Sequence, residues 1–351
     1  MSKDEPLLKV EGLIVKAYDV DRGLGWPVDG VSFSLNKGEI FGLTGESASG
    51  KTTTAFSILR LIGNARTETA DPQRRVSLLG DITSQREIVG GKIIYKGKDL
   101  LALPEEEMRT MRGKEISIIF QNPIASMHPM MMVGYQVGEP KEVHERLKWE
   151  EITKIVFDYL GKVELPDAKL RAYHDPHEFS GGEGQRIMVA MALICNPSLL
   201  IADEPTSSLD VLIKRQVLEL IKRLKKELGL SVLYITHDLG VIFEMSDHVG
   251  VMYAGRIVEY GDARTIWQKP GHPYTMGLKN AYPDLYAPRK RLKGILGSPP
   301  TPFDKFSGCK FYPRCEYAKP MCNEKEPPTI EIEPGHLVSC LRAYEIQNPA
   351  Y

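Results

Sequence analysis

No stretch of the 351 residues stays apolar for long. The longest run, Ile187 to Cys195, is bounded by Arg186 and Asn196 and falls well short of the ~20 residues a helix needs to cross a bilayer. An excess of one charge sign is also lacking. Lys and Arg number 45 against 46 Asp and Glu, which argues against a polybasic protein that coats nucleic acid or a membrane surface. With 42% apolar and 26% charged residues, the chain has the balance of a folded protein and not of a disordered one. The opening MSKDEPLLKVEG lacks the basic-then-apolar pattern of a secretory signal, which leads us to expect a cytoplasmic protein. Cysteine is nearly absent until the end: Cys195 stands alone, whereas Cys309, Cys315, Cys322 and Cys340 crowd the last part of the chain. Proline marks the same division, 13 of 24 lying after residue 265. Length allows roughly two units at ~150 residues each. We therefore expect a main domain over 1–265 and an extension over 266–351.

Strand-like and helix-like runs alternate in the first part. Leu8 to Lys16, Val31 to Leu35 and Ile40 to Leu43 read as strands, and Lys51 to Ile62 as a helix. KIIYKGKDL after Gly90-Gly91 and VMYAGRIVEYG read as hairpins, and Ile116 to Gln121 as a strand. The segment from Asn122 to Asp175 is mostly helical in pattern and holds Pro123, Pro129 and Pro140, as a helical subdomain inserted between strands would (about 122–178). A helix from Glu183 to Cys195, a strand at Leu199 to Ala202, an amphipathic helix from Val211 to Leu228, a strand at Val232 to Thr236 and a helix from Leu239 follow. Buried strands alternating with helices predict an α/β fold around a mostly parallel sheet covered on both faces.

Between a strand and a helix lies Gly45-Glu46-Ser47-Ala48-Ser49-Gly50-Lys51-Thr52, followed by Thr53. This spacing fits a phosphate-binding loop, in which backbone N–H groups at a helix N-terminus wrap phosphates, Lys51 reaches the β- and γ-phosphates and the Thr52 hydroxyl ligates Mg²⁺. A second element, Leu199-Leu200-Ile201-Ala202-Asp203-Glu204, is an apolar strand ending in two carboxylates. Alone it would be a solvated turn. Beside a phosphate loop, Asp203 can hold Mg²⁺ and Glu204 can polarise an attacking water.

Between these two elements stands Phe179-Ser180-Gly181-Gly182-Glu183-Gly184-Gln185-Arg186, which resembles the S-G-G-x-x-Q signature of ATP-binding cassette (ABC) ATPases. Further pieces match in order: Gln121 in IIFQNP resembles the Q-loop, Ser208-Leu209-Asp210 the D-loop, and His237 in YITHDL the switch histidine. Five ordered motifs over about 200 residues make the resemblance specific. It implies a P-loop NTPase fold with an inserted helical subdomain, and two ATP molecules held between two head-to-tail cassettes. Ser180, Gly181 and Gly182, with Gln185, would then contact nucleotide on the other subunit's loop, and Asp210 would lie at the same junction. His237 would hold the γ-phosphate and attacking water. Gln121 would touch Mg²⁺ and relay permease contact. Tyr18 sits where the family places an adenine-stacking aromatic, with Trp26 as the rival.

Gly271-His272-Pro273-Tyr274-Thr275, the wording IIFQNPIASMHP and HEFSGG, and the cysteine tail resemble ATPase subunits of dipeptide/oligopeptide-type ABC importers. The resemblance implies a peripheral protein on the cytoplasmic face of the membrane, paired with a second, paralogous ATPase subunit. Two integral permease subunits and an external solute-binding protein would complete the system, with no nucleic acid partner. The solute would be peptide or, as in related systems, oligosaccharide. A soluble ABC ATPase acting on nucleic acid or ribosomes is the alternative; the chain has neither a long coiled coil between its motifs nor a second cassette. The segment from Asn64 to Val89 is longer than the family's usual link and reads as a surface insertion.

The tail spacing, C-x5-C-x6-C-x17-C, lacks the tight C-x2-C pairs of most zinc sites, and a reducing compartment disfavours disulfides. Four soft thiolates suit an iron-sulfur cluster or a less regular zinc site. Importer subunits with a similar tail bind a [4Fe-4S] cluster, and the resemblance assigns that role here. The cluster is expected to close the tail structurally, leaving ATP binding at Lys51 independent of it.

Overall fold

The computed structural model describes residues 5–64, 84–282 and 293–347. Most of the insertion read between Asn64 and Val89 lies outside the described residues; its last part belongs to the strand Ser84–Tyr95. Two compact units are present.

The first unit gathers residues of 1–35, 40–102 and 235–351. Its N-terminal strands form a sheet in the order Gly23–Leu35, Leu8–Asp19, Ser84–Tyr95, Gly63–Asn64, with Lys98–Asp99 alongside Ser84–Tyr95. Leu8–Asp19 pairs antiparallel with both long neighbours. This sheet is thus antiparallel, whereas strands that alternate with helices pair in parallel, Ile40–Thr44 with His248–Tyr253 and Ile116–Ile119 with Leu199–Asp203. Only a few residues join Asp19 to Gly23, too few for the crossover a parallel pair needs. The strand read as Val31 to Leu35 starts at Gly23 because the ladder tolerates Gly25 and Pro27, whose turn-forming character masked it. Leu8, Leu13, Val15, Val31, Leu35, Ile88 and Ile93 are fully buried at ladder positions.

A second sheet of this unit runs in the order Thr329–Glu333, His336–Ser339, Arg256–Asp262, His248–Tyr253, Ile40–Thr44. His248–Tyr253 is parallel to Ile40–Thr44, and the remaining pairs are antiparallel. Both hairpins read from sequence are present. Ala254 and Gly255, and likewise Lys96 and Gly97, take positive φ at two-residue turns, the mirror-image turn that matches strand twist. The helix after the phosphate loop ends at Ile58, short of the expected Ile62. Arg60 adopts φ of 51°, Leu61 N–H donates to Phe56 and Arg60 N–H to Ser57, the bonds that terminate a helix through a left-handed residue.

The second unit gathers residues 36–39 and 103–234. Ile116–Ile119 is parallel to Leu199–Asp203, whose other neighbour is Ser231–Ile235. Helices Val133–Glu145, Trp149–Lys162 and Gly181–Leu193 pack on one another, in keeping with the helical pattern read after Asn122. Trp149 stacks on Tyr135 at 4.7 Å between ring centroids and donates its indole N–H to Glu142. Val211–Leu228 buries Val217, Leu218, Leu220, Ile221 and Leu224, a stripe with the helical period. Asp210 caps its start and Gly229, at φ 65°, ends it.

Candidate active site

In the first unit the phosphate loop joins the fully buried strand Ile40–Thr44 to the helix Lys51–Ile58. Gly45 has φ of 146°, and a Cβ there would lie 2.1 Å from the Met252 carbonyl oxygen. Gly50 has φ of 104°, and a Cβ there would meet the Pro27 carbonyl at 2.3 Å. Both positions exclude any side chain, so the loop backbone lies bare against its neighbours. Ala48 takes φ of 61° between them. Ser47 and Ala48 are exposed, whereas Ser49 and Lys51 are buried. The Lys51 ammonium donates to the Gly45 and Glu46 carbonyls, both at 2.8 Å, and to Ser49 Oγ at 3.3 Å. The cation is thus held at the loop that would receive phosphate. Thr52 is partly buried and Thr53 buried. Tyr18 is 55% exposed and Trp26 40%, so each keeps an aromatic face open. His237 is exposed just beyond the buried Thr236.

Three hydrogen bonds to the loop involve two residues outside it, Tyr274 and Arg314. Glu46 N–H donates to Tyr274 Oη at 2.8 Å. The Glu46 carboxylate accepts both terminal nitrogens of Arg314, at 2.7 and 2.9 Å. The C-terminal segment thus reaches the phosphate loop at Glu46. The Gly271 to Thr275 motif acquires a physical reason. Buried Glu259 accepts the Gly271 and His272 N–H groups and pairs with His336, while His272 Nδ1 accepts Tyr274 N–H and so caps the helix Pro273–Asn280. That helix start sets Tyr274 in place.

In the second unit Asp203 is buried at the end of the strand Leu199–Asp203 and Glu204 follows at φ of 47°. A non-glycine residue there is strained, a conformation concentrated at functional sites. Gln121 Nε2 donates to Glu204 Oε2 at 3.4 Å, bringing together two of the expected site residues. Ser180 caps the helix Gly181–Leu193. Ser180 Oγ lies 2.9 Å from Glu183 Oε2, and Glu183 also accepts the Ser180 N–H. The S-x-x-E spacing is that of a capping box. Arg171 pairs with Glu183 and, with those N–H and hydroxyl donors, holds its carboxyl down to about 2. Gly181 is exposed and Gln185 buried. Gly182 faces the second helix: a Cβ there would lie 2.6 Å from Ile213 Cγ2, so the signature packs directly on the helix that Asp210 caps.

The four tail cysteines, all free thiols, line one small cavity with His272, Phe311, Tyr317 and Ile346. Burial, with repulsion from neighbouring thiolates, pushes Cys315 and Cys340 up to about 11. These two thiols stay protonated unless a cation compensates them. Among the described residues no group of three or more His, Cys, Asp or Glu side chains is arranged to hold a metal ion.

The ABC transporter family model matches residues 28–207, and the model for the oligopeptide/dipeptide transporter C-terminal region matches residues 258–322. The chain is 42% identical over 99% of its length to a probable peptide ABC transporter ATP-binding protein, y4tR, of Sinorhizobium fredii, covering 98% of that protein. It is 40% identical over 97% of its length to the oligopeptide transport ATP-binding protein OppD of Escherichia coli, covering 94% of it. Among solved structures, the ATP-binding cassette MJ0796 in a dimeric post-hydrolysis state bound to ADP and Pi is similar in fold, with a TM-score of 0.61 and 24% identity, covering 73% of this chain and 99% of that one. No helix among the described residues is long and apolar enough to cross a membrane. A phosphate loop built on bare backbone, a strained Glu204 bonded to Gln121, and two family models in sequence lead to one conclusion: the chain is an ATPase of the ABC transporter family and belongs to its oligopeptide/dipeptide branch.

Proposed function

We propose that the chain is the ATP-hydrolysing subunit of an importer that moves peptides through a membrane permease. The observation that carries the reading is likeness along the whole chain, C-terminal region included, to proteins named for peptide and oligopeptide transport. It works from the cytoplasmic face of the cell membrane with two permease subunits and a second ATPase subunit, paralogous to it, in a head-to-tail pair. An external solute-binding protein delivers the cargo. Oligosaccharide is the other cargo class, and the transport test below separates the two.

In hydrolysis the loop from Gly45 to Thr53 cradles the ATP phosphates, Lys51 neutralises them, and Tyr18 or Trp26 stacks on adenine. Thr52, Gln121 and Asp203 offer hydroxyl, amide and carboxylate oxygens, the hard donors that Mg²⁺ prefers. Bound Mg²⁺ supplies charge neutralisation of the phosphates. Glu204 accepts the proton of the attacking water and His237 holds that water's approach. Ser180, Gly181, Gly182 and Asp210 face the partner's nucleotide; Gln185, read from sequence with them, is buried in the signature helix and does not.

The tail cysteines fit a thiophilic group by donor chemistry: four sulfurs border one cavity, and a [4Fe-4S] cluster takes one thiolate per iron. Cys309, Cys315, Cys322 and Cys340 are the ligands in this reading, and the cluster closes a segment poor in periodic apolar residues. Zinc is the other group to test.

Co-purification from native membrane tests the assignment. The chain is expected with two permease subunits and a second ATPase, and the reconstituted complex is expected to import peptides only with ATP. Oligosaccharide uptake in place of peptide uptake would reassign the cargo, and recovery with ribosomes or nucleic acid would overturn the reading. Anaerobic protein is expected to be brown with about four irons per chain; colourless protein with one zinc would replace the cluster.

A further inference from the structure

Glu46 is fixed at three points: its carbonyl accepts Lys51 Nζ at 2.8 Å, its N–H donates to Tyr274 Oη at 2.8 Å, and its carboxylate is forked by Arg314 at 2.7 and 2.9 Å. Two of the three partners come from the C-terminal segment. Both are themselves immobilised. The Arg314 side chain is 5% exposed; its Nε donates to the Leu296 carbonyl at 3.0 Å, and its guanidinium lies 5.8 Å from the centre of the Tyr253 ring. Tyr274 is fully buried, with ring centroids 4.6 Å from Tyr253 and 5.4 Å from Phe311. Arg314 directly precedes Cys315, so the cysteine cavity and the grip on the loop share one stretch of backbone.

A planar fork on a carboxylate fixes direction as well as distance. Glu46 therefore cannot rotate without breaking two charge-assisted bonds, and the peptide that orients Lys51 turns with Glu46. Removing Arg314 alone also leaves the Glu46 carboxylate without that counter-charge, in a place built for a pair, which costs more than the pair's net worth.

We propose that Arg314 and Tyr274 are positioning residues of the ATP site, acting through Glu46 and Lys51, so that affinity for ATP depends on the folding of the cysteine-bearing tail. The tail is a second wall of the phosphate loop. This rests on the reading of residues 45–52 as the loop that binds ATP.

The experiment uses the full chain in complex with its partner subunits. The dissociation constant of a fluorescent ATP analogue, and KM and kcat for ATP, are measured for Arg314→Met, Arg314→Lys, Glu46→Gln and the double variant Glu46→Gln/Arg314→Met. Arg314→Met is expected to raise Kd and KM about tenfold, the scale of one charge-assisted pair, with kcat within about twofold. Arg314→Lys is expected to recover part of the loss, and the double variant to be no worse than Arg314→Met. Amide exchange across residues 45–50 is expected to quicken in Arg314→Met. Unchanged Kd and KM, or additive losses in the double variant, would overturn the proposal. Should thiol titration show that Arg314→Met has opened the tail, Glu46→Gln decides, because it alters no tail residue: a Kd equal to wild type then refutes the clamp. Lys51→Ala run alongside separates the two levels. Normal ATP binding in that variant would refute the phosphate-loop reading itself, whereas lost binding there with no effect at Arg314 would refute only the clamp.

Discussion

The phosphate loop and the C-terminal tail belong to one compact unit, yet they are held together in opposite ways. In the loop the backbone does the work: Gly45 and Gly50 are placed where no Cβ fits, and Lys51 is held by carbonyls of its own loop. In the tail, side chains from distant positions do it: Lys310 and Arg256 converge on Asp29, Arg314 on Glu46, and four thiols on one cavity. The Asp29 carboxyl is held low by those two cations in spite of its partial burial. The difference teaches where each part is fragile. A backbone-built site breaks when a side chain is added, and a side-chain-built one when a side chain is removed.

The largest expected effect separates chemistry from cradle. Glu204→Gln is expected to keep ATP affinity while hydrolysis falls about 10²- to 10⁴-fold, the range for losing a general base; turnover near wild type, measured with the partner subunit, would break the assignment. Next comes the comparison itself. Gly45→Ala places a methyl 2.1 Å from a backbone oxygen and is expected to abolish nucleotide binding although no functional group is lost. Gly294→Ala, in the C-terminal segment, meets nothing within 4 Å and is expected to leave binding and melting temperature within error. Equal behaviour of the two variants would erase the contrast.

The smallest effect concerns acid. The folded Glu183 carboxyl, held at about 2 by Arg171 and the Ser180 cap, lies below its ordinary 4.5. Its stabilising effect is therefore complete above pH 4.5 and is lost as pH falls from there through about 2. Glu183→Gln is expected to flatten that part of the acid-unfolding curve. Because the Glu183 side chain keeps partial solvent access, at 25% exposure, the amplitude is expected to be small; an unchanged curve would show that the pair does not stabilise the signature helix.

Much of the site was legible because its motifs are short and contiguous. Eight residues specify the loop from Gly45 to Thr52, and six specify the strand that ends in Asp203 and Glu204. The capping box at Ser180 and Glu183 is equally readable from its spacing. Arg314 offered no such signal. Its partner Glu46 is 268 residues away, and an arginine beside a cysteine carries no pattern for a carboxylate it meets only after folding. The antiparallel arrangement of the N-terminal strands was hidden for a related reason: Gly25, Pro27 and Gly30 look like turns, whereas Gly25 pairs with Ala17 and the other two sit at register shifts within the ladder.

By itself, then, the sequence determined the ATP-binding chemistry, since positive-φ glycines, a lysine and an ordered series of motifs act through local backbone geometry that spacing encodes. Only the tertiary structure decided that the tail reaches the phosphate loop through Glu46. Long-range ion pairs such as Arg314 with Glu46 follow from the path of the chain, and that path is set by the burial of Tyr253, Tyr274 and Phe311 together.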